Sequence, residues 1–441
     1  MIGGGGAPPP NAAHVVTAVL ATALPFLVFL AARTVGANAR GALLAATAFA
    51  VTPEIAIGLF AMTPDLLLAI TWLGALTLVG RAITREPSSL DAAICFVSAG
   101  LLAGVGAASK ASGVLLIVAL IVAYASPRLR KHANTLWPWA GLLAGLVVLL
   151  PVVFFEAKTG WPMITHRLVS TQAGAGPSLR NIGAVLGGQL AYLSPLLALA
   201  IVWVSIDLFR HRKDDATSTL LFWVTAIAFV PPLLLSLWSR VAEPHWLAPA
   251  FLALPLHYAR RFESTDGPLR HITKRFARAA TGIALALVVL VHAWVLVPQL
   301  VRYAPASLDA RTDIANELFG WPDAVSAVEE IATSESSRGE IVVVGPHWII
   351  CAQLHARLGT RFRVGCATPI PDDFDVWTPR AIWQHADKIL YVSDARFEAD
   401  PGKLFPDRNI ARRSRITILR GGRIARTFTL SLLEHSARGE L

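Results

Sequence analysis

Long apolar runs broken by short polar clusters dominate the first 300 residues of the chain, and after Val301 the pattern changes to short mixed segments. A helix rising 1.5 Å per residue needs about 20 mostly apolar residues to cross roughly 30 Å of hydrocarbon. Ten stretches meet or approach that length, at 13–33, 40–61, 65–84, 91–109, 112–126, 136–156, 184–209, 217–238, 245–260 and 276–300. The fifth and ninth are short. The second carries Thr52-Pro53-Glu54, where proline removes a backbone hydrogen bond and predicts a kink. The reading divides the chain into a disordered Gly/Pro-rich start at 1–12, a transmembrane helical domain at 13–300 and an external domain at 301–441.

The last third reads as a small α/β domain. Glu340–Gly345 and Lys388–Asp394 are β-branched runs typical of buried strands, and Asp323–Thr333 and His347–Leu358 show helical spacing. Arg415–Leu433 predicts a hairpin turning at Gly421-Gly422. No glycine-rich phosphate loop follows either strand, so a domain that packs or presents an acceptor without chemistry is the simplest reading. Cys351 and Cys366 permit a disulfide there, and Cys95 lies in an apolar run.

Composition sharpens this picture. Of 441 residues 54% are hydrophobic and 15% charged, which excludes an ordinary soluble enzyme. The net charge of +10 would suit a nucleic-acid binder if it lay in one basic surface, but residues 301–441 hold 18 basic and 18 acidic side chains. The excess therefore lies between the apolar runs. Alternate loops carry 16 Lys and Arg against five on the other side, Lys110, Lys158, Arg167, Arg180 and Arg240. The positive-inside rule puts the poorer set and the C-terminal domain outside a cytoplasmic (inner) membrane, with the N-terminus also outside. An external N-terminus with no basic leader in MIGGGGAPPPN predicts a further helix and external loop upstream, the sequence being a fragment, a wrong start or a degenerate copy. A first helix inserted as a reverse anchor is the other reading.

Ionisable groups near the outer face are the candidates for chemistry, because charge at membrane depth is costly. Asp65, in Met62-Thr63-Pro64-Asp65, reads as a helix-terminal carboxylate or as a catalytic one. Lys110, in Ala108-Ser109-Lys110, opposes the charge bias, and either an anionic partner such as a lipid-linked phosphate or snorkelling accounts for it. The 157–183 loop, longer than a connector, brings Trp161-Pro162, His166 and Arg167 before Gly187-Gly188-Gln189. Gly-Gly there permits close helix packing. Ser239-Arg240-Val241-Ala242-Glu243-Pro244-His245-Trp246 is the densest constellation, in which Arg240 and His245 suit a phosphate and an Arg240–Glu243 ion pair is the structural alternative. His14, His257 and His292 stand alone and receive no role; Glu54 is left unassigned. No HExxH, Cys/His, GxSxG or Walker pattern occurs, so no metal or cofactor is indicated.

These stretches, with LLLAITWLGALTLVGRAI after Asp65, Glu156–Pro162, GGQLAYLSP at 187–195, Leu318–Pro322 and Asp375-Val376-Trp377, resemble the GT-C type of membrane glycosyltransferases. The likeness is to the family 39-like group that includes protein O-mannosyltransferases and bacterial aminoarabinose transferases. The resemblance implies a polytopic helical bundle with an external α/β domain. It also implies sugar transfer from a polyprenyl-phosphate donor to a lipid, glycan or protein acceptor at the outer face. Asp65 matches an acidic catalytic position, while Lys110, His166, Arg167, Gln189, Arg240, Glu243 and His245 fall where substrate or lipid phosphate would bind. The family's principal acidic motif, in a first external loop, has no counterpart here, which implies an inactive chain if nothing replaces it; Glu156 stands where relatives often carry an amide. Two rival readings remain: a secondary transporter, which favours inverted repeats and charges near mid-bilayer, and a non-catalytic scaffold.

Overall fold

The structure is a computed structural model, which describes residues 10–58, 63–169, 172, 174–239, 242–264, 266–337, 339–359, 361–369 and 371–435. The chain forms two compact units, Asn11–Leu290 and Val291–Leu441.

The first unit is helical throughout its described residues. Its helices are α1 (Pro10–Thr34), α2 (Ala39–Ala50), α3 (Pro53–Ala56), α4 (Pro64–Ala82), α5 (Leu90–Ser109), α6 (Val114–Ala125) and α7 (Arg130–Ala133). There follow α8 (Trp137–Lys158), α9 (Pro162–Ile164), α10 (Leu179–Tyr192), α11 (Pro195–His211), α12 (Ala216–Trp238), α13 (Ala248–Phe251), α14 (Leu254–Arg261) and α15 (Lys274–Leu296), the last running past the unit's end. Side chains fix several starts: Asn38, Ser89, Ser178 and Asp215 each accept a hydrogen bond from a first-turn backbone N–H.

Among the described residues six helices are long and apolar enough to cross a membrane, and a seventh span results if α10 and α11 count as one broken span. The expected ten are thus corrected at four places. The 40–61 run ends as a helix at Ala50 and restarts at Pro53, so its proline terminates the helix where a kink is expected. The 112–126 run yields only the 12-residue α6 after a 3-10 turn at Ala111–Gly113. The 184–209 run is two helices bent by 112°, joined at Ser194, which is buried and carries a positive φ of 72° ahead of Pro195. The 245–260 run is a 3-10 turn at Pro244–Leu247 and two short helices, each with a proline near its start.

Glycine sets the tight contact between α5 and α8. Gly100 and Gly104 of α5 meet Gly141 and Gly145 of α8 so closely that a Cβ on Gly100 would overlap the carbonyl of Gly141. Two small-xxx-small stripes let the backbones touch, the packing that replaces hydrophobic drive inside lipid. Farther along, Asp207 is fully buried and accepts from Arg261 Nε at 2.9 Å, with His257 Nε2 at 2.8 Å. His257, without a role in the sequence reading, therefore ties α14 to α11.

The second unit carries a mixed sheet of β1 (Ile341–Gly345), β2 (Val364–Cys366), β3 (Lys388–Asp394), β4 (Arg408–Arg420) and β5 (Arg423–His435), in the order β2-β1-β3-β5-β4. β1 pairs parallel with β2 and β3, while β5 pairs antiparallel with β3 and β4. Helices α16 (Trp321–Ser336), α17 (Trp348–Leu358), α18 (Asp373–Trp377), α19 (Arg380–His385) and α20 (Pro401–Leu404) complete it. Alternation along β1 sends Ile341 and Val343 into one core with Val328, Ile350 and Leu354, and Val342 and Val344 into another with Trp383 and Phe405. Both expected strands, both expected helices and the hairpin at Gly421-Gly422 are present, the two glycines at φ 57° and 85°. The three-residue β2 escapes the sequence reading. Cys351 of α17 and Cys366 of β2 form a disulfide.

Candidate active site

Asp65 stands in the first turn of α4, which Thr63 enters in extended conformation and Pro64 begins. The Thr63 side chain makes no cap bond at this helix start, and Asp65 is the acidic group of the first turn. Its partner lies 45 residues on: Lys110 Nζ donates to Asp65 Oδ1 at 2.5 Å, with about a quarter of each side chain exposed. Local backbone geometry aims that lysine. Helix α5 ends at Ser109, Lys110 is extended (φ −152°, ψ 134°), and Gly113 folds the following 3-10 turn against the backbone of Gly106 and Ala107, where a Cβ would have no room.

Glu54, unassigned in the sequence, belongs to this cluster. Pro53 starts α3 and leaves Glu54 in its first turn, outside the candidate spans. Burial first, then the Asp65 carboxylate, push the Glu54 carboxyl up to about 8 against the opposing pull of Lys110. At neutral pH Glu54 therefore carries its proton beside the Asp65–Lys110 ion pair.

The late turn is held by α10. Gln189 Nε2 donates to Pro244 O at 2.9 Å and to Val185 O at 2.8 Å, Gly188 leaves room for the Pro244 ring, and Asn181 Nδ2 donates to Ser239 O at 2.5 Å. His245 Nδ1 lies 3.1 Å from Glu243 Oε2. Helix α10, which ends at Tyr192, packs against both α3 and the 3-10 turn at Pro244–Leu247, so that Glu54's helix and the late turn border one rim. Neither Tyr192 nor Glu54 carries a sequence signal of its own; proximity across the fold is what selects them.

Below that rim runs a cleft with Thr52, Glu54 and Asp65 at its polar end and Leu197, Ile201 and Val204 along α11. Phe251 and Tyr258 line it further, and Phe276 and Ala280 of α15 close it. From Leu197 to Val204 it follows α11 for roughly 10 Å at 1.5 Å per residue. The cleft is apolar for most of that length, and charge is confined to one end.

The remaining candidates separate. Gln189 is buried and engaged in holding the turn. His166 sits half-buried on the π-helical turn Thr165–Val169, and no contact among the described residues joins it to Asp65 or Lys110. Arg240, and with it the Arg240–Glu243 alternative, lies outside the described residues, as does the side chain of Arg167. Glu156 acts locally. It is buried, accepts from Met163 N at 3.1 Å and secures the turn at Trp161, whose φ is 59°. Among the described residues no group of three or more His, Cys, Asp or Glu is placed to hold a metal ion.

The architecture is that of the crystal structure of ArnT from Cupriavidus metallidurans bound to undecaprenyl phosphate, with a TM-score of 0.56 and 14% identity over 95% of this chain and 83% of that one. The likeness is one of fold. Residues 9–155, about a third of the chain, match the family described as dolichyl-phosphate-mannose-protein mannosyltransferase. A crystal structure of the Archaeoglobus fulgidus oligosaccharyltransferase with Zn and sulfate overlaps with a TM-score of 0.48 and 15% identity, covering 87% of this chain and 56% of that one. No curated protein matches the chain in sequence.

Proposed function

We propose that the chain transfers a sugar from a polyprenyl-phosphate donor to a lipid, glycan or protein acceptor at the outer face of the cytoplasmic membrane. The observation that carries this reading is the Asp65–Lys110 pair at the mouth of an apolar cleft. A prenyl chain suits the cleft, and its phosphate then lies beside Lys110. Asp65 takes the proton of the acceptor hydroxyl as its oxygen bonds to the anomeric carbon. The bond from that carbon to the phosphate oxygen breaks, and the lipid phosphate leaves with the electron pair. Lys110, relieved of its pairing as Asp65 is neutralised, stabilises the charge that appears on the phosphate. His245 and Glu243 border the same rim and suit the acceptor or the phosphate, with Arg240 assigned there from the sequence.

The test is turnover by the full chain in liposomes supplied with undecaprenyl-phosphate-linked sugars, read as release of undecaprenyl phosphate. Asp65→Asn should lower turnover on the order of a hundredfold or more, the usual contribution of a general base. Lys110→Met should weaken both turnover and retention of undecaprenyl phosphate. Unchanged turnover in Asp65→Asn removes the proposal.

A further inference from the structure

We propose that the C-terminal unit stands on the bilayer through an apolar foot, the tip of its long hairpin and the segments knotted to it, rather than projecting from the last span on a free tether.

The knot is built from two arginines. Arg420, with its side chain fully buried, donates to Asp313 Oδ2 at 2.9 Å, to Asn316 Oδ1 at 3.0 Å and to the carbonyl of Trp294. Trp294 lies in the last turn of α15, and its indole donates to Asp313 at 2.9 Å. Across the turn, Arg423 donates to Ala304 O at 2.8 Å and Val301 O at 3.2 Å, and Gly421 sits against the Pro298 carbonyl where a Cβ would collide. Every link lies within one compact unit. The hairpin tip is thereby fixed to the point where a 23-residue apolar helix ends.

Around that knot large apolar side chains stand exposed among polar ones. Leu419 precedes Arg420, Ile424 follows Arg423, Ile314 follows Asp313, and Tyr303 stands between Val301 and Ala304; with Leu318 they are 60–78% exposed. Large apolar side chains exposed together around one structural knot point to an interaction site. The occupant follows from continuity: the knot holds Trp294, two residues before the exposed Leu296 at the end of a candidate membrane span, where the next medium is the lipid interface. A tyrosine and an indole at that level match the amphipathic belt of membrane interfaces. Hydrophobic contact there would hold the unit at a set height above the membrane.

The test uses full-length protein in phosphatidylcholine/phosphatidylglycerol vesicles. The background is Cys95→Ala with the native disulfide intact, and a bimane probe is placed at Ile424→Cys or, as a second position on the same tip, Leu419→Cys. Asp407→Cys, beyond the other end of β4 and about 40 Å away at 3.3 Å per residue, is the control. Phosphatidylcholine spin-labelled near the top of its acyl chain should quench both tip probes at least twofold more than the control. Equal quenching at tip and control overturns the proposal. So does a tip probe shielded from lipid but cross-linked between two chains, which makes the patch a protein contact.

Discussion

A carboxyl group that is buried and faces another carboxylate keeps its proton where free glutamate has lost it, and Glu54 is in that position. Its raised value has a thermodynamic sign. The penalty for ionising it in the folded state is absent below the unfolded value near 4.5, grows as pH rises, and is complete above about 8. Glu54→Gln should therefore leave the melting temperature unchanged at pH 4.5 and raise it at pH 9, as read by thermal unfolding in detergent. An equal difference at both pH values would show that the substitution acts through packing. The sequence named Asp65 and Lys110 one by one, each for its place near the outer face, and for Lys110 an anionic partner was one of two readings. That partner in the structure is Asp65, 45 residues away, a relation no local pattern encodes. Glu54 stayed unassigned because a glutamate after a proline carries no information about the carboxylate it will meet. For His257 the outcome was similar, since its partner Asp207 comes from another helix.

Elements were legible where a single helix or strand satisfies its own pattern. The six candidate spans and both buried strands were visible as apolar runs. What failed was the inference from length to continuity. The 184–209 run is apolar enough for one span, yet a 112° bend at Ser194 divides it, and hydropathy carries no term for backbone direction. Short β2 was missed because three residues are too few to show a period. The α5–α8 contact gives a prediction at this scale. Gly100→Ala should displace α8, since its Cβ falls on the Gly141 carbonyl, with a loss on the order of 1–3 kcal/mol typical of overpacking. Thermal unfolding of the full chain in detergent checks it, and equal melting temperatures for Gly100→Ala and the unaltered protein would refute the close approach.

For the molecule as a whole, the division at Leu290–Val291 separates a unit held by helix packing from one held by a sheet with two cores. The Cys351–Cys366 bond closes a loop of 15 residues in the second unit, and a cross-link of that span is worth about 3 kcal/mol through the unfolded chain. Cys351→Ser with Cys366→Ser should lower the unfolding midpoint of the C-terminal unit and leave that of the helical unit in place, measured on the full chain with a reporter in each unit. A disulfide is a bond of oxidising compartments, the side of the membrane on which the sequence reading expects this unit. The strand order has a temporal consequence. Because β5 is made last and lies between β3 and β4, the ribosome must finish residues 423–435 before the sheet's central rung can close. Until then β3 presents a bare flank, an unpaired edge exposed to mispairing for longer than in a fold whose strands pair in the order they emerge.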